Sequence, residues 1–397
     1  MASAPSAIAE SDALHDAVGE AIAATRGAGM YGWDDGAFDA LARRLFAHQY
    51  THCAPYRRFC QGREVTPDFL ARQGHPRSYE LIPPVPTDVF KSVPLATFDP
   101  AEAELEFLTS GTTVGTRGRH LLRTGRTYEA SLAPWLRRWL VPRNDAPLVL
   151  AFMAPFAEDP HSSLGHMVQW AVDHVGADGS RHCWDGGPDL DAFADAAAGA
   201  DRPVLLLGTA RALQFLLEDR LDQQRIPLPP GSRVMETGGF KGAARTLERD
   251  DFYRRLGDGL AVPTFAIISE YGMTELGSQG YQPGFRALSD RGLARKLGSA
   301  LVEWPDGTVD PDGVPRVLVF PPWCRVGATD PDTLALLPPG ERGLLRFWDL
   351  SNVDSVVAVQ TADMGRVLPQ GVVLEGRAPG STPRGCSLAI DEILAAR

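Results

Sequence analysis

Short apolar runs of strand length alternate with longer stretches of helical periodicity along this chain, and that alternation limits its fold more than any other feature. The runs "PLVLAFM" (147–153), "PVLLLG" (203–208), "SRVMETGG" (232–239), "TFAIISEYG" (264–272) and "RVLVFP" (316–321) read as strands. The stretches "TYEASLAPWLRRWL", "ARALQFLLEDRLDQQ" and "AARTLERDDFYRRL" read as helices. Such an order predicts an α/β protein whose sheets are sandwiched by helices. Before it, "FDALARRLFAHQY" sets Phe38, Leu41, Leu45 and Phe46 on one helical face. The Ala-rich residues 1–30 also read as helical. The segment "LIPPVPTDVFKSVPL" cannot be helical through Pro83, Pro84 and Pro86. The Gly, Pro and Ser content of "EGRAPGSTPRG" (375–385) predicts a linker, with a short helix to follow.

At 397 residues the chain has ample length for a large core, and its formal charge of -11 argues against a nucleic-acid surface. The five cysteines, Cys53, Cys60, Cys183, Cys324 and Cys386, are odd in number and irregular in spacing, which suits neither a disulfide framework nor a zinc site. The opening "MASAPSAIAESDALHD" lacks a basic segment and meets acids early, unlike a signal peptide. No apolar run has the length of a membrane span. A reducing, cytoplasmic setting is expected. Lysine is scarce, with Lys91, Lys241 and Lys296 alone against abundant arginine.

Four segments carry candidate chemistry. In "FLTSGTTVGTRGRH" (107–120), Thr109, Ser110, Thr112 and Thr113 interleave with Gly111 and further glycines. Glycines let backbone N–H groups approach a ligand and hydroxyls add donors, so the run suits phosphate oxygens. It is neither a Walker A loop nor a dinucleotide fingerprint. In "EYGMTELGSQGY" (270–281), Tyr271, Gly272, Thr274 and Glu275 follow an apolar run, at a strand end where open α/β sheets bind ligands. Tyr271 would stack on a base, Thr274 bind a phosphate oxygen, and Glu275 hold Mg²⁺, a hard cation suited to carboxylate oxygen. In "METGGFKG" (235–242), Gly238 and Gly239 would let backbone amides meet a nucleotide, with Lys241 a phosphate contact or a solvated charge. In "VQTADMGRV" (359–367), Asp363 would accept ribose hydroxyls or serve as a turn residue.

The ordered set of segments resembles the acyl-adenylate-forming (ANL) superfamily, and within it the LuxE-type acyl-protein synthetases and the related phenylacetate–CoA ligases. "PPVPTDVFKSVPL", "TSGTTVGTRGRH", "ETGGFKG", "EYGMTELGSQGY" and "EGRAPGSTPRGCSLAIDE" carry the likeness over roughly residues 80 to 392. The resemblance implies ATP-dependent activation of a carboxylic acid, a fatty acid being the family default, with ATP and Mg²⁺ bound. It assigns the phosphates to residues 109–113, the adenine pocket to Gly238 and Gly239, the base to Tyr271, the α-phosphate to Thr274, Mg²⁺ to Glu275 and the ribose to Asp363. Arg377 falls at or near a hinge. An adenylate-forming domain over 1–365 and a shortened C-terminal subdomain over 366–397 are expected. The chain departs from the family pattern in two places. Val114 precedes Gly115 where a glycine directly follows the "SGTT" run, and no lysine follows Lys296, although related ligases carry a catalytic lysine in a longer C-terminal domain.

In the shortened tail the resemblance puts Cys386 in the role of acyl acceptor. A helix starting just after it, with Arg384 nearby, would lower the thiol pKa and favour the thiolate. The leading expectation is therefore acyl-AMP formation followed by thioester formation on Cys386, with an acyl-accepting or reductase protein as a possible partner. The alternatives are an adenylating ligase that hands the acyl group to CoA, a carrier-protein thiol or an amine, and a lapsed adenylating fold that only binds. His161, Ser162 and Ser163 are candidates for the border of the acyl pocket. The other histidines and cysteines read as packing residues.

Overall fold

A computed structural model of the chain describes residues 6–25, 33–109, 117–142, 145–238, 248–289, 316–378 and 383–395. The described residues fall into two units, one of residues 1–134, 273–279 and 320–397, the other of residues 135–272 and 280–319.

The first unit opens with helices α1 (Ala7–Ala24) and α2 (Asp35–His52), each started by a side-chain cap. Ser6 Oγ accepts from the Ala9 N–H at 3.3 Å and Asp34 Oδ1 from the Ala37 N–H at 2.7 Å, satisfying N–H groups that a helix start leaves without partners. Helices α3 (Ala54–Gly62) and α4 (Pro67–Ala71) follow, and both begin with proline in the first turn, where its missing N–H is harmless. The Pro-rich stretch resolves into 3₁₀ turns at Ser78–Leu81 and Thr87–Lys91 around strand β1 (Val85–Pro86), so the prolines exclude a helix as expected. Strands β2 (Leu105–Leu108) and β3 (Arg119–Leu122) pair antiparallel on either side of the Ser/Thr/Gly segment. Helix α5 (Arg126–Leu140) accommodates Pro134.

The second unit holds a sheet whose described strands run β5–β4–β6–β7–β8–β9: β4 (Leu148–Phe152), β5 (Arg181–His182), β6 (Val204–Thr209), β7 (Arg233–Thr237), β8 (Ile267–Tyr271) and β9 (Gly280–Tyr281). All pairs are parallel except β8–β9. Strands β4 and β7 are buried throughout, and the continuous apolar run of β4 is what a parallel sheet covered on both faces requires, whereas β7 also buries Arg233, Glu236 and Thr237. Connecting helices are α6 (Ser163–His174), α7 (Leu190–Ala198), α8 (Ala210–Leu216), continued by a π turn at Leu217–Leu221, and α9 (Arg249–Leu260), with α10 (Gly284–Ser289) beyond the sheet. Four of the five expected strands are present. The fifth, "RVLVFP", forms isolated bridges rather than a strand among the described residues, one of them a two-way bridge between Val319 and Tyr281.

The chain then returns to the first unit as a sheet ordered β1–β12–β11–β10, with β13 on β12: β10 (Cys324–Thr329), β11 (Arg342–Asp349), β12 (Ala358–Leu368) and β13 (Gly371–Arg377). The expected subdomain boundary at 365/366 falls inside β12. The last helix, α11 (Arg384–Ala395), lies in this unit against α3, β1 and the Thr87–Lys91 turn. It starts at Arg384 rather than after Cys386, which therefore sits inside its first turn.

Candidate active site

The "YGMTE" segment is divided between the units. Tyr271 and Gly272 end the β8 portion of the second, and Met273–Gln279 belong to the first.

In the first unit the Met273–Gln279 segment is pinned by a polar turn. The Gly277 N–H donates to Asp349 Oδ2 and to Asn352 Oδ1, both at 3.0 Å. Ser278 Oγ donates to Asp349 Oδ1 at 2.8 Å, and Asn352 Nδ2 to the Glu275 carbonyl at 2.8 Å. A side chain at Gly277 would place Cβ 2.5 Å from Ser351 Oγ, so the close approach requires glycine. On the other side, His120 Nδ1 donates to the Thr274 carbonyl oxygen at 2.7 Å. Burial pushes His120 down to a pKa of about 4, so the ring is neutral and serves as a fixed donor. Phe90 meets His120 edge-on, with centroids 5.9 Å apart. His120 was grouped among the packing histidines. Its place at the end of "TSGTTVGTRGRH" was the available signal, since it joins three of the quoted segments, through Phe90, itself and Thr274.

Glu275 is 6% exposed, and burial raises its pKa to about 7. The hydrogen bond that its carboxylate accepts comes from its own backbone, while Arg377 and Lys91 pull the pKa down and Asp88 pushes it up. A buried carboxylate served by no other side-chain hydrogen bond among the described residues fits a position for a hard cation, which would restore the ionised form. Lys91 Nζ and Asp88 Oδ1 pair at 2.6 Å. Asp363 and Arg377 are register partners on β12 and β13, with Arg377 Nε 3.7 Å from Asp363 Oδ1. Thr109 closes the base of the β2–β3 connection: its N–H donates to the Gly118 carbonyl at 2.9 Å and its Oγ1 accepts from the Gly118 N–H at 2.8 Å. Ser110, Gly111, Thr112 and Thr113 lie outside the described residues.

Cys386 is 3% exposed. Burial pushes its thiol up to about 11, with Asp88 adding to the rise and Arg346 opposing it. The expected lowering of this pKa is thus reversed in the arrangement described, because the sulfur is inside the first turn of α11 and covered. Asp88 acts on the charges of both Cys386 and Glu275. The helix that carries Cys386 and the strand that carries Asp363 each pack against the Thr87–Lys91 turn.

In the second unit, Gly238 directly follows β7 with φ +83°, is exposed, and has open space where a side chain would project. Gly239 and Lys241 lie outside the described residues. Tyr271 ends β8 opposite Gly280, and Gly272 is exposed. Beneath them, Glu270 accepts from Thr237 Oγ1, and Tyr253 donates to Glu236 at 2.7 Å. Burial, reinforced by the neighbouring Glu236, raises Glu270 to about 7. Ser162 caps α6 through the Gly165 N–H at 2.9 Å, so its hydroxyl is engaged in structure.

No family model matches the chain. Over 72 residues it is 37% identical to a long-chain-fatty-acid–luciferin-component ligase of Photorhabdus luminescens, a match covering 18% of this chain and 56% of that relative. A 2-hydroxyisobutyryl-CoA ligase, solved in an open conformation with 2-HIB-AMP and CoA, superposes with a TM-score of 0.53 at 14% identity, covering 85% of this chain and 69% of that one. The ATP-bound MatB of Rhodopseudomonas palustris is similar at 20% identity with a TM-score of 0.45, over 68% of this chain and 47% of its own. The chain has a mixed α/β fold similar to that of the 2-hydroxyisobutyryl-CoA ligase, and a stretch of its sequence is similar to the long-chain-fatty-acid–luciferin-component ligase.

Proposed function

We propose that this protein activates a carboxylic acid with ATP and then takes the acyl group onto Cys386. The observation that carries the reading is the buried carboxylate of Glu275 on a fold similar along 85% of the chain to a ligase holding an acyl-AMP, with Cys386 on a helix and Asp363 on a strand that each pack against the Thr87–Lys91 turn. An oxygen of the acid attacks the α-phosphorus of ATP, pyrophosphate leaves, and the Cys386 thiolate then attacks the acyl carbon, releasing AMP. Glu275 would hold Mg²⁺, which supplies charge neutralisation at the phosphates. His120 fixes the backbone at Thr274, where the α-phosphate contact is assigned, and Asp363 would take the ribose hydroxyls. Gly238, Gly239 and Tyr271 would receive the adenine, and Thr109 to Thr113, with Lys241, the phosphates. A fatty acid is the substrate class favoured by the similarity to the long-chain-fatty-acid ligase, and a protein that removes the acyl group from the thioester is the partner class. Five free cysteines and no described helix long and apolar enough to span a membrane support action in the cytoplasm.

Burial of Cys386 favours a second reading in which the adenylate goes to CoA, a carrier-protein thiol or an amine. The two separate in one experiment. Pyrophosphate exchange is measured across a panel of carboxylates, and the product of the best acid is weighed by intact mass spectrometry. The first reading expects exchange with both wild type and Cys386→Ser, and a hydroxylamine-sensitive acyl adduct on wild type alone. A full adduct on the Ser variant rejects it, and turnover of that variant with an added thiol or amine supports the second. Failure of exchange with every acid rejects both.

A further inference from the structure

Helices α1 and α2 bring together three side chains that the proposed adenylation does not use. His48 and His52 are one turn apart on α2, so their rings share a face, with centroids 4.8 Å apart. Glu10 on α1 reaches the same point: its Oε2 lies 2.9 Å from His52 Nε2 and 3.4 Å from His48 Nδ1. The three donor atoms all fall within 4.8 Å of one another. Donors at the corners of a tetrahedron around zinc, with bonds near 2.0–2.1 Å, stand about 3.4 Å apart. Small side-chain movements therefore convert the cluster into a coordination set.

The second observation is His48 itself. It is 1% exposed, and among the described residues neither ring nitrogen makes a well-formed hydrogen bond, the facing oxygens being Glu10 Oε2 at 3.4 Å and Asp354 Oδ1 at 3.9 Å. Buried polar groups are ordinarily satisfied, and a buried imidazole whose Nδ1 faces a carboxylate at 3.4 Å without a well-formed hydrogen bond, next to a second imidazole, calls for an explanation. A metal bond at Nδ1 provides one. The other nitrogen, Nε2, faces Asp354 Oδ1 at 3.9 Å, in the order carboxylate, imidazole, metal by which such ligands are commonly oriented. The His52 and Glu10 side chains are 23% and 44% exposed, which gives an ion a route in and leaves one coordination position for water.

We propose that Glu10, His48 and His52 form a site for one divalent transition-metal ion of the zinc class, which fastens α1 to α2. Two imidazoles and one carboxylate suit zinc or cobalt rather than magnesium or calcium, which prefer oxygen throughout. The site is separate in chemistry from the Mg²⁺ position proposed at Glu275.

The test uses the full chain, freed of metal with a chelator and titrated with Zn²⁺ against a chromogenic competitor, then with Co²⁺ followed by its visible absorption. The expected result is one equivalent bound, a cobalt spectrum of nitrogen–oxygen coordination, and a rise in melting temperature with Zn²⁺. Because Glu10 and His52 are partly exposed, Glu10→Gln and His52→Ala should fold, as checked by circular dichroism. Each should weaken binding at least tenfold and abolish the thermal shift, whereas His75→Ala should leave both unchanged. Absence of stoichiometric binding overturns the proposal. So does equal affinity in wild type, Glu10→Gln and His52→Ala.

Discussion

A carboxylate that must bind a cation is hampered when burial favours its protonated form. Glu275 has a pKa raised to about 7, so ionisation is incomplete at neutral pH. With magnesium limiting, pyrophosphate exchange should therefore rise with pH through about 7. Lys91 lowers this pKa, and its pairing with Asp88 also offsets a charge that raises it. Replacing it as Lys91→Met removes both aids, and the midpoint should move up by roughly half a unit. That is less than a close buried charge would give, because Lys91 is half exposed. A pH–rate series on the two proteins reads the shift, and a downward move or a flat profile between pH 6 and 8 would contradict the assignment of Glu275. The sequence marked Glu275 as a carboxylate after a strand and an aromatic–glycine pair, and the structure shows it buried there. It did not disclose Lys91 and Asp88 as its neighbours, nor His120 as the anchor of Thr274, because those relations arise from long-range folding between residues far apart in the chain. The His48–His52 spacing was visible as text, but a pair one turn apart becomes a candidate site only when Glu10 on another helix reaches it.

Among the elements, those with their own periodicity were read well. β4, β6, β7 and β8 announce themselves as apolar runs, and α2 and α5 as amphipathic ones. The helix α11 begins before Cys386 although Arg384 and Gly385 resemble the linker before them, its first turn closed by the Ser387 N–H donating to the Pro383 carbonyl at 2.9 Å. That start alters the chemistry of the sulfur. A thiol near pKa 11 is about 0.1% ionised at pH 8, so the proposed attack by Cys386 would be favoured by opening of α11. An exposed ion pair, Arg63 Nη2 to Glu392 Oε2 at 2.7 Å, ties α11 to α3. Pairs of this type contribute at most about 1 kcal/mol, which corresponds to about fivefold in an opening equilibrium. Glu392→Ala should accordingly speed alkylation of Cys386 by up to about fivefold, followed peptide by peptide in the mass spectrometer. A rate equal to that of wild type would show that α11 is held by its buried face alone.

At the scale of the whole chain, the reading divides one reaction between residues before and after position 384. Every residue assigned to acid activation, from Thr109 to Arg377, precedes α11, and the acceptor sulfur lies within it. Activation should then proceed without the tail. Deleting residues 384–397 removes the thiol and uncovers the surfaces that bury Ala389 and Ile393, so stability should fall. For the isoleucine alone the loss is about 1.5–3 kcal/mol. Assayed below its own melting temperature, the shortened protein should retain pyrophosphate exchange within a few-fold of wild type while acquiring no acyl adduct, matching Cys386→Ser in the second respect. Exchange lost from a folded deletion protein, with Cys386→Ser still active, would mean that another part of α11 takes part in activation. The division of labour at residue 384 would then have to be abandoned.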